Sequence, residues 1–187
     1  LMFEGSKHVP EGEFDARLEA AGGNNNGSTN VDRTKYVIDV PENALELALF
    51  LESDRMGYLL DTMSPARVDG QRDVVKNERR QRIENAPYGQ AFIELSAMLY
   101  PGGHPYSWPT IGYMEDLSAA SYEDVVEFFK TYYAPNNASL AIAGDIDLDR
   151  TQAMVETWFG GIPRGPAVAP LVAPPARLTQ VTKRMYT

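Results

Sequence analysis

The acidic residue whose position most clearly suggests a chemical role lies on a charged, helix-like stretch, VVKNERRQR. Glu78 follows Val74 by four residues and Val75 by three, so in a helix it shares their face. A carboxylate on an apolar face needs a partner, because an unpaired buried charge is costly. Arg82, four residues further on, offers an ion pair, and a metal ion is the other candidate. Spacing alone favours the ion pair.

The histidines give little support for a metal or acid–base site. His8 follows a turn, and His104 lies in a loop rich in glycine and proline. Neither belongs to an H-x-x-H, H-x-x-E-H or H-E-x-x-H pattern, and no G-x-S-x-G sequence occurs. The residues by themselves predict hydrogen-bonding loop histidines.

A run of glycine and asparagine, GGNNNG at residues 22–27, suggests a phosphate-binding loop. That interpretation fails, because no Gly-Lys-Ser/Thr follows and no strand-to-helix context surrounds the run. Two alternatives stay open. The run is a flexible turn leading into a strand, or it is an exposed strand edge where glycine lets an extended peptide pair through its main chain.

Composition excludes several classes of protein. The 187 residues carry 17 basic and 26 acidic side chains, a net charge of −9, which disfavours nucleic-acid and membrane-surface partners. No apolar run approaches the roughly 18 residues that span a bilayer. There is no cysteine, so disulfides, thiolate nucleophiles and cysteine-ligated zinc are excluded.

Periodicity and turn residues predict the elements that would position these side chains. Helices are expected over residues 10–21, 42–56, 68–84, 88–100, from Ser121 to near Pro135, and 147–159; strands are expected over 34–40, 138–142 and 178–186. The irregular order of strands and helices favours an α+β fold. We expect one domain over residues 1–162, followed by a proline-rich linker and strand over 163–187.

Several stretches in order carry a resemblance to a known family: LMFEGS, LEAAGGNNNGST with DRTKYVIDVP, LALFLESDRM, VVKNERRQRIENAPYGQ, HPYSWPTIGYMEDL and FFKTYYAPNNASLAIAGDID. Together they resemble the catalytic N-terminal domain of the insulinase/pitrilysin (M16) zinc metallopeptidases, over nearly the whole chain. The resemblance implies a mostly antiparallel sheet with helices packed on one side. An unrelated α+β binding domain would not be expected to keep these motifs in order.

The resemblance also implies where the zinc chemistry lies. In that family an H-x-x-E-H helix directly precedes an LMF-type stretch. We therefore expect two histidine ligands and the water-activating glutamate upstream of Leu1, together with the first strands of the sheet. The third zinc ligand of the family corresponds to Glu78, which reverses the preference from spacing. We expect the intact protein to bind zinc, and this chain alone to bind none and to be inactive.

Two positions depart from the family pattern. Many members carry a glutamate seven residues before the third ligand, where this sequence has Gln71; we expect Gln71 and Arg82 to support the ligand. The family's substrate-pairing strand corresponds to Asn26, Gly27, Ser28 and Thr29, and Gly27 replaces the usual alanine.

The resemblance further implies partners. The family encloses peptides in a chamber between homologous halves, so we expect a peptide substrate and a second M16 domain or subunit. We also expect self-association over the missing N-terminal part, and export to the periplasm or cell envelope if the source is bacterial. The alternative function is a non-catalytic, M16-like scaffold or peptide-binding partner, which Gln71 favours and Glu78 disfavours.

Overall fold

The computed structural model describes residues 1–185, which form seven α-helices and one two-stranded sheet. In chain order these are α1 (Glu13–Ala20), β1 (Asn24–Thr29), β2 (Thr34–Asp39), α2 (Leu45–Tyr58), α3 (Pro65–Arg79), α4 (Ala91–Leu99), α5 (Met114–Ala119), α6 (Tyr122–Tyr132) and α7 (Leu148–Phe159). A π-helical turn, Arg80–Glu84, directly follows α3. The predicted α+β class is confirmed.

Contacts divide the chain into two compact units. The first contains residues 1–28, 34–69 and 121–169, and the second contains residues 29–33, 70–120 and the segment from 170 onward. The predicted boundary at residue 163 separates a domain from a linker, whereas the two units are separated by their contacts. That boundary therefore stays a prediction. Among the described residues no helix combines the length and the apolar composition needed to cross a bilayer.

The first unit has an apolar core beneath the N-terminal segment. Val9, Leu18 and Leu51 are fully buried, and Phe14 joins them. Each fully buried aliphatic side chain of this size contributes about 1.5–3 kcal/mol. The core therefore fixes α1 against α2.

β1 and β2 form an antiparallel hairpin closed by a tight loop. The Asn30 N–H donates to the Arg33 carbonyl over 3.0 Å, and the Asn30 side chain accepts from the N–H groups of Asp32 and Arg33. This pairing places Gly27 opposite Tyr36. The predicted strand over 34–40 is confirmed, and the Gly/Asn run leads from a turn at Gly22 into β1 at Asn24.

The structure departs from the sequence prediction in three elements. Residues 138–142 are extended and mostly exposed but form no strand, and the described part of 178–186 likewise forms none; Tyr186 lies outside the described residues. Extended chain becomes a strand when a neighbouring strand shares its hydrogen bonds, and β1–β2 is the one sheet that residues 1–185 contain. Helix α5 was not predicted.

The helix predicted from Ser121 is confirmed, and it begins with a capping box. The Ser121 hydroxyl accepts from the Asp124 N–H over 3.1 Å, and the Asp124 carboxylate accepts from the Ser121 N–H over 2.8 Å. The apolar residues of this helix are buried to different extents. Phe129 is buried, Val125 is half-buried, and Phe128 and Tyr132 are exposed.

Candidate metal ligand and peptide-binding strand

Glu78 lies in the last turn of α3, in a part of the second unit that is anchored by two arginines. Arg72 Nη2 donates to the Ala120 carbonyl over 2.5 Å, and Arg79 Nε donates to the Gly112 carbonyl over 3.1 Å. Arg79 also pairs with Glu84 at the end of the π turn. These bonds attach the helix on either side of Glu78 to the segment that contains α5, so its backbone is held in place.

The Glu78 carboxylate is accessible rather than buried. Its side chain is 40% exposed, and its Oε1 lies 2.9 Å from Nη1 of Arg82, which is 75% exposed. On the same helix face Val74 is 54% exposed and Val75 is half-buried, so this face is only partly buried. The predicted ion pair is confirmed. Exposed pairs of this kind contribute about 0–1 kcal/mol, so Arg82 is weakly held.

Glu78 fits a metal site as one carboxylate ligand of a larger set. The ion pair with Arg82 is made through Oε1 of Glu78. Gln71 lies on the same helix, and seven residues correspond to about 10 Å along the axis. Within residues 1–185 no group of three or more His, Asp or Glu side chains is arranged to hold a metal. Other ligands would have to complete the site.

β1 presents the candidate peptide-binding edge. From the hairpin register, the main-chain groups of Asn25 and Gly27 point away from β2. The Gly27 N–H is bound by the side-chain Oδ1 of Asn26 over 2.8 Å. A side-chain amide thus occupies the acceptor position that the carbonyl of an added strand would take.

The aromatic rings of Phe3 and Tyr36 pack against Gly27. A Cβ at residue 27 would lie 3.3 Å from the Phe3 ring and 3.5 Å from the Tyr36 ring. Phe3 and Tyr36 pack edge to face, with ring centroids 6.1 Å apart. β1 therefore contacts the N-terminal segment through Phe3 and contacts β2 through Tyr36.

Arg55 of α2 holds these rings together and was not singled out from the sequence. Its guanidinium lies 5.4 Å from the Phe3 ring centroid, 4.6 Å from Phe14 and 4.3 Å from Tyr36. The side chain is 2% exposed and is paired with Glu52 over 2.5 Å. Burial, and then a hydrogen bond with Tyr133, raise the pKa of the Tyr36 phenol well above its usual range.

Asp54, the neighbouring residue, fixes the segment before α1 and was also missed. It is 2% exposed and accepts from Ser6 Oγ over 2.5 Å and from the His8 N–H over 3.1 Å. Its other oxygen lies 2.5 Å from His8 Nδ1. The available signal was an Asp-Arg pair that directly follows the apolar run LALFL in LALFLESDRM.

Both histidines are hydrogen-bonded loop residues, as predicted. His8 is held by Asp54. His104 Nδ1 accepts from the Tyr106 N–H over 3.0 Å, and its ring stacks on Tyr100 with centroids 4.7 Å apart.

The predicted site residues fall into two groups. Gln71, Glu78 and Arg82 share α3 and its π turn in the second unit. Asn26, Gly27 and Ser28 belong to the first unit, and Thr29 to the second. The candidate metal ligand and its supporting residues therefore lie on α3 and its π turn, and the candidate peptide-binding residues lie on β1.

Comparison with known proteins identifies the family, whose relatives include proteins named as zinc proteases. The insulinase (peptidase family M16) model matches residues 1–102, and the peptidase M16 inactive-domain model matches residues 119–186. The zinc protease PqqE of Helicobacter pylori is 34% identical over 85% of this chain, and the probable zinc protease PqqL of Haemophilus influenzae is 32% identical over 79%. A crystal structure of a Helicobacter pylori protease superposes with a TM-score of 0.83 at 30% identity, over 94% of this chain and 41% of that one.

The chain belongs to peptidase family M16. It spans 35% of the length of the Helicobacter pylori PqqE protein and 16% of the Haemophilus influenzae PqqL protein. The chain therefore corresponds to only part of these relatives.

Proposed function

We propose that this chain is part of a zinc-dependent M16 metalloendopeptidase in which Glu78 is a zinc ligand and β1 binds the peptide as an added strand. The observation that carries the proposal is the accessible Glu78 carboxylate on an anchored helix, in a chain whose relatives are named zinc proteases. A zinc ion in such a site lowers the pKa of its bound water and polarises the scissile carbonyl.

The chain's own residues would bind and orient. Glu78 would contribute a carboxylate oxygen, and Arg82 would orient that carboxylate along the helix through the ion pair. Gln71 would support the ligand set by hydrogen bonding, without the charge of the glutamate that many relatives carry. The outward groups of Asn25 and Gly27 would form main-chain hydrogen bonds with the peptide once the Asn26 amide moves aside.

The proposal extends to the whole protein and its location. Two histidines and a general base from sequence outside this chain would complete the site, and a second M16 domain would close a chamber around the peptide. A crystal structure of the first half of the periplasmic protease PqqL from Escherichia coli shares the fold, with a TM-score of 0.77 at 22% identity. We propose an exported protein on that likeness.

Zinc stoichiometry tests the ligand assignment. The protein extended upstream of Leu1 should bind about one zinc per chain, and Glu78→Gln should lower that value several-fold, because a neutral amide is a poor zinc ligand. Asp73→Asn, an exposed acid on another face of α3, is the matched control and should leave the stoichiometry unchanged. The 187-residue chain by itself should bind no zinc at Glu78 and hydrolyse no peptide.

The alternative function is a scaffold subunit that binds peptide without cleaving it. Gln71 is the observation that favours it, because the neutral amide reduces the negative charge available to a cation. Absence of zinc from both the extended protein and its Glu78→Gln variant would support the scaffold and overturn the peptidase. Tetrahedral zinc on Glu78, His8 and His104 of this chain would overturn the predicted ligand set.

A further inference from the structure

We infer that a pocket between α2, α6 and the start of the proline-rich segment binds an apolar chain that ends in a carboxylate. Arg55, Lys130 and Arg164, which line the pocket, would bind the carboxylate. A free aliphatic acid has this chemistry, and so does the C-terminal residue of a polypeptide that ends in an apolar side chain. No residue of α3 or β1 lines the pocket, so the inference goes beyond the proposed function and does not depend on it.

The pocket lies entirely within the first unit and is large enough for a small organic molecule. Its volume is about 220 Å³. A cavity of about 150 Å³ can hold benzene, so this pocket has room for a chain of about six carbons. Most of its walls are apolar, as is usual in small-molecule sites. The apolar side chains that line it include Met56, Leu59, Leu60, Phe129, Ile162 and Pro163.

The charges that line the pocket are all positive. Arg55, Lys130 and Arg164 line it, and among the described residues no aspartate or glutamate does, although the whole chain has a net charge of −9. Lys130 and Arg164 are exposed, and within residues 1–185 neither forms an ion pair. Two cations near the pocket opening are therefore available to an anion.

Arg55 indicates that a hydrogen-bond acceptor is missing from the pocket. Glu52 accepts from its Nε over 2.8 Å and from its Nη2 over 2.5 Å. Nη1 is buried, and among the described residues it has no hydrogen-bond partner. The surrounding aromatic rings attract the charge but offer no lone pair in place of an acceptor. Since an unpaired buried donor is costly, a ligand oxygen that reached Nη1 would bind favourably.

The wall opposite α2 is held in a fixed position by Asn136. Its Oδ1 accepts from the Gly165 N–H over 2.7 Å, and its Nδ2 donates to the Pro166 carbonyl over 3.1 Å. Gly165 packs so closely that a Cβ there would lie 2.6 Å from the Cβ of Ala134. The pocket is therefore closed on this side by chain that is anchored to the end of α6.

These features together match a carboxylate on an apolar chain. A guanidinium and a carboxylate form strong, directional hydrogen bonds, and the weakly hydrated guanidinium suits a buried pair. The methylenes of the ligand would pack on the apolar walls. A multiply charged phosphate fits less well, because its further oxygens would lie against apolar side chains without donors.

The test is calorimetric titration of the 187-residue chain with hexanoate, 1-hexanol, hexylammonium and acetate. We expect hexanoate to bind about five- to tenfold tighter than hexanol, the strength of one or two partly exposed ion pairs, and hexylammonium to bind more weakly than either. Between butyrate and hexanoate the affinity should rise about two- to fourfold per methylene. Acetate should bind much more weakly than hexanoate.

A pair of matched double variants tests the cations. Lys130→Gln/Arg164→Gln should reduce the preference for hexanoate over hexanol to less than about threefold, while hexanol binds as before. Lys35→Gln/Arg150→Gln removes two exposed cations elsewhere in the first unit and should keep the preference.

The role of Arg55 is read without replacing it, because the loss of a buried arginine could unfold the chain. In protein labelled with ¹⁵N-arginine, hexanoate should shift the NMR signal of the Arg55 side chain, and hexanol should shift it much less. An unmoved Arg55 signal under saturating hexanoate would overturn its assignment as a carboxylate ligand.

Two further probes distinguish the sources of the carboxylate. N-acetyl-leucine represents a polypeptide C-terminus, and N-acetyl-leucinamide is its uncharged control. Tighter binding of hexanoate supports a free acid, and tighter binding of N-acetyl-leucine supports a polypeptide end. Equal binding of hexanoate and hexanol, or a preference that survives in Lys130→Gln/Arg164→Gln, overturns the inference. Binding of acetate as tight as that of hexanoate would mean an adventitious ion only and would overturn it too.

Discussion

Asp54 is the residue whose loss should most damage the segment before α1. It accepts bonds from Ser6 and His8 while almost completely buried. We expect Asp54→Asn to lower the free energy of unfolding by about 1–3 kcal/mol, because the amide nitrogen cannot accept and leaves buried donors unpaired. Urea unfolding measures this change. Asp61→Asn, which removes an exposed partner of Lys7, should cost less than about 0.5 kcal/mol; equal effects would contradict the assignment.

Tyr36 should make the fold sensitive to alkali. Burial and the bond with Tyr133 raise the pKa of Tyr36, so the neutral phenol is favoured in the folded state. Its contribution to stability is complete below the unfolded pKa of about 10 and is lost as the pH rises above that value. Tyr36→Phe should reduce the loss of stability above about pH 10, measured by thermal unfolding across pH. An unchanged alkaline profile would contradict the raised pKa.

At the scale of elements, Gly27 and Gly5 differ in backbone conformation and in the space available for a Cβ atom. At Gly27 the backbone is extended and the nearest atom is Phe3 Cζ at 3.3 Å, at the tip of a partly exposed ring. At Gly5 the φ angle is +90°, and the Glu11 nitrogen would lie 2.6 Å from the new Cβ.

We therefore expect Gly27→Ala to raise the stability by about 0.4–1 kcal/mol, because alanine loses less entropy on folding. Gly5→Ala should lower it by more than about 1 kcal/mol, from strain and close backbone contact. Paired melting curves distinguish the two. A destabilised Gly27→Ala protein would show that Phe3 cannot shift, and that β1 is held more rigidly than its exposure indicates.

At the scale of the whole molecule, α4 leaves an apolar face uncovered. Phe92 is 79% exposed, and Leu95 and Leu99 are exposed on the same side of the helix. Exposed apolar faces of this kind favour association. The second M16 domain that we propose is one partner for such a surface, and a second copy of the chain is another.

The isolated chain should therefore self-associate. Light scattering and sedimentation should show a mass above 20.7 kDa that rises with concentration. Phe92→Lys/Leu95→Lys should return the mass towards the monomer, since buried lysine is costly. Leu148→Lys, at an exposed leucine of α7 in the other unit, is the control and should change nothing. A monodisperse wild-type monomer would contradict this expectation.

The sequence by itself determined the features that depend on neighbours a few residues apart. The periodicity of the helices, the Ser121 cap, the Glu78–Arg82 pair and the proline-rich end all follow from local spacing. The order of the motifs also determined the family. Both histidines were correctly assigned to loops, although their partners were not predicted.

Only the tertiary structure decided which groups meet across distant sequence. Asp54 bonds to residues 46 and 48 positions away, and Arg55 stacks on rings from three separate segments. Residues 138–142 have strand-like composition, yet they stay unpaired among the described residues, whereas the polar β1 becomes a strand because β2 lies beside it. A strand, a groove or a buried ion needs its neighbour in place, and the neighbour is set by packing rather than by local spacing.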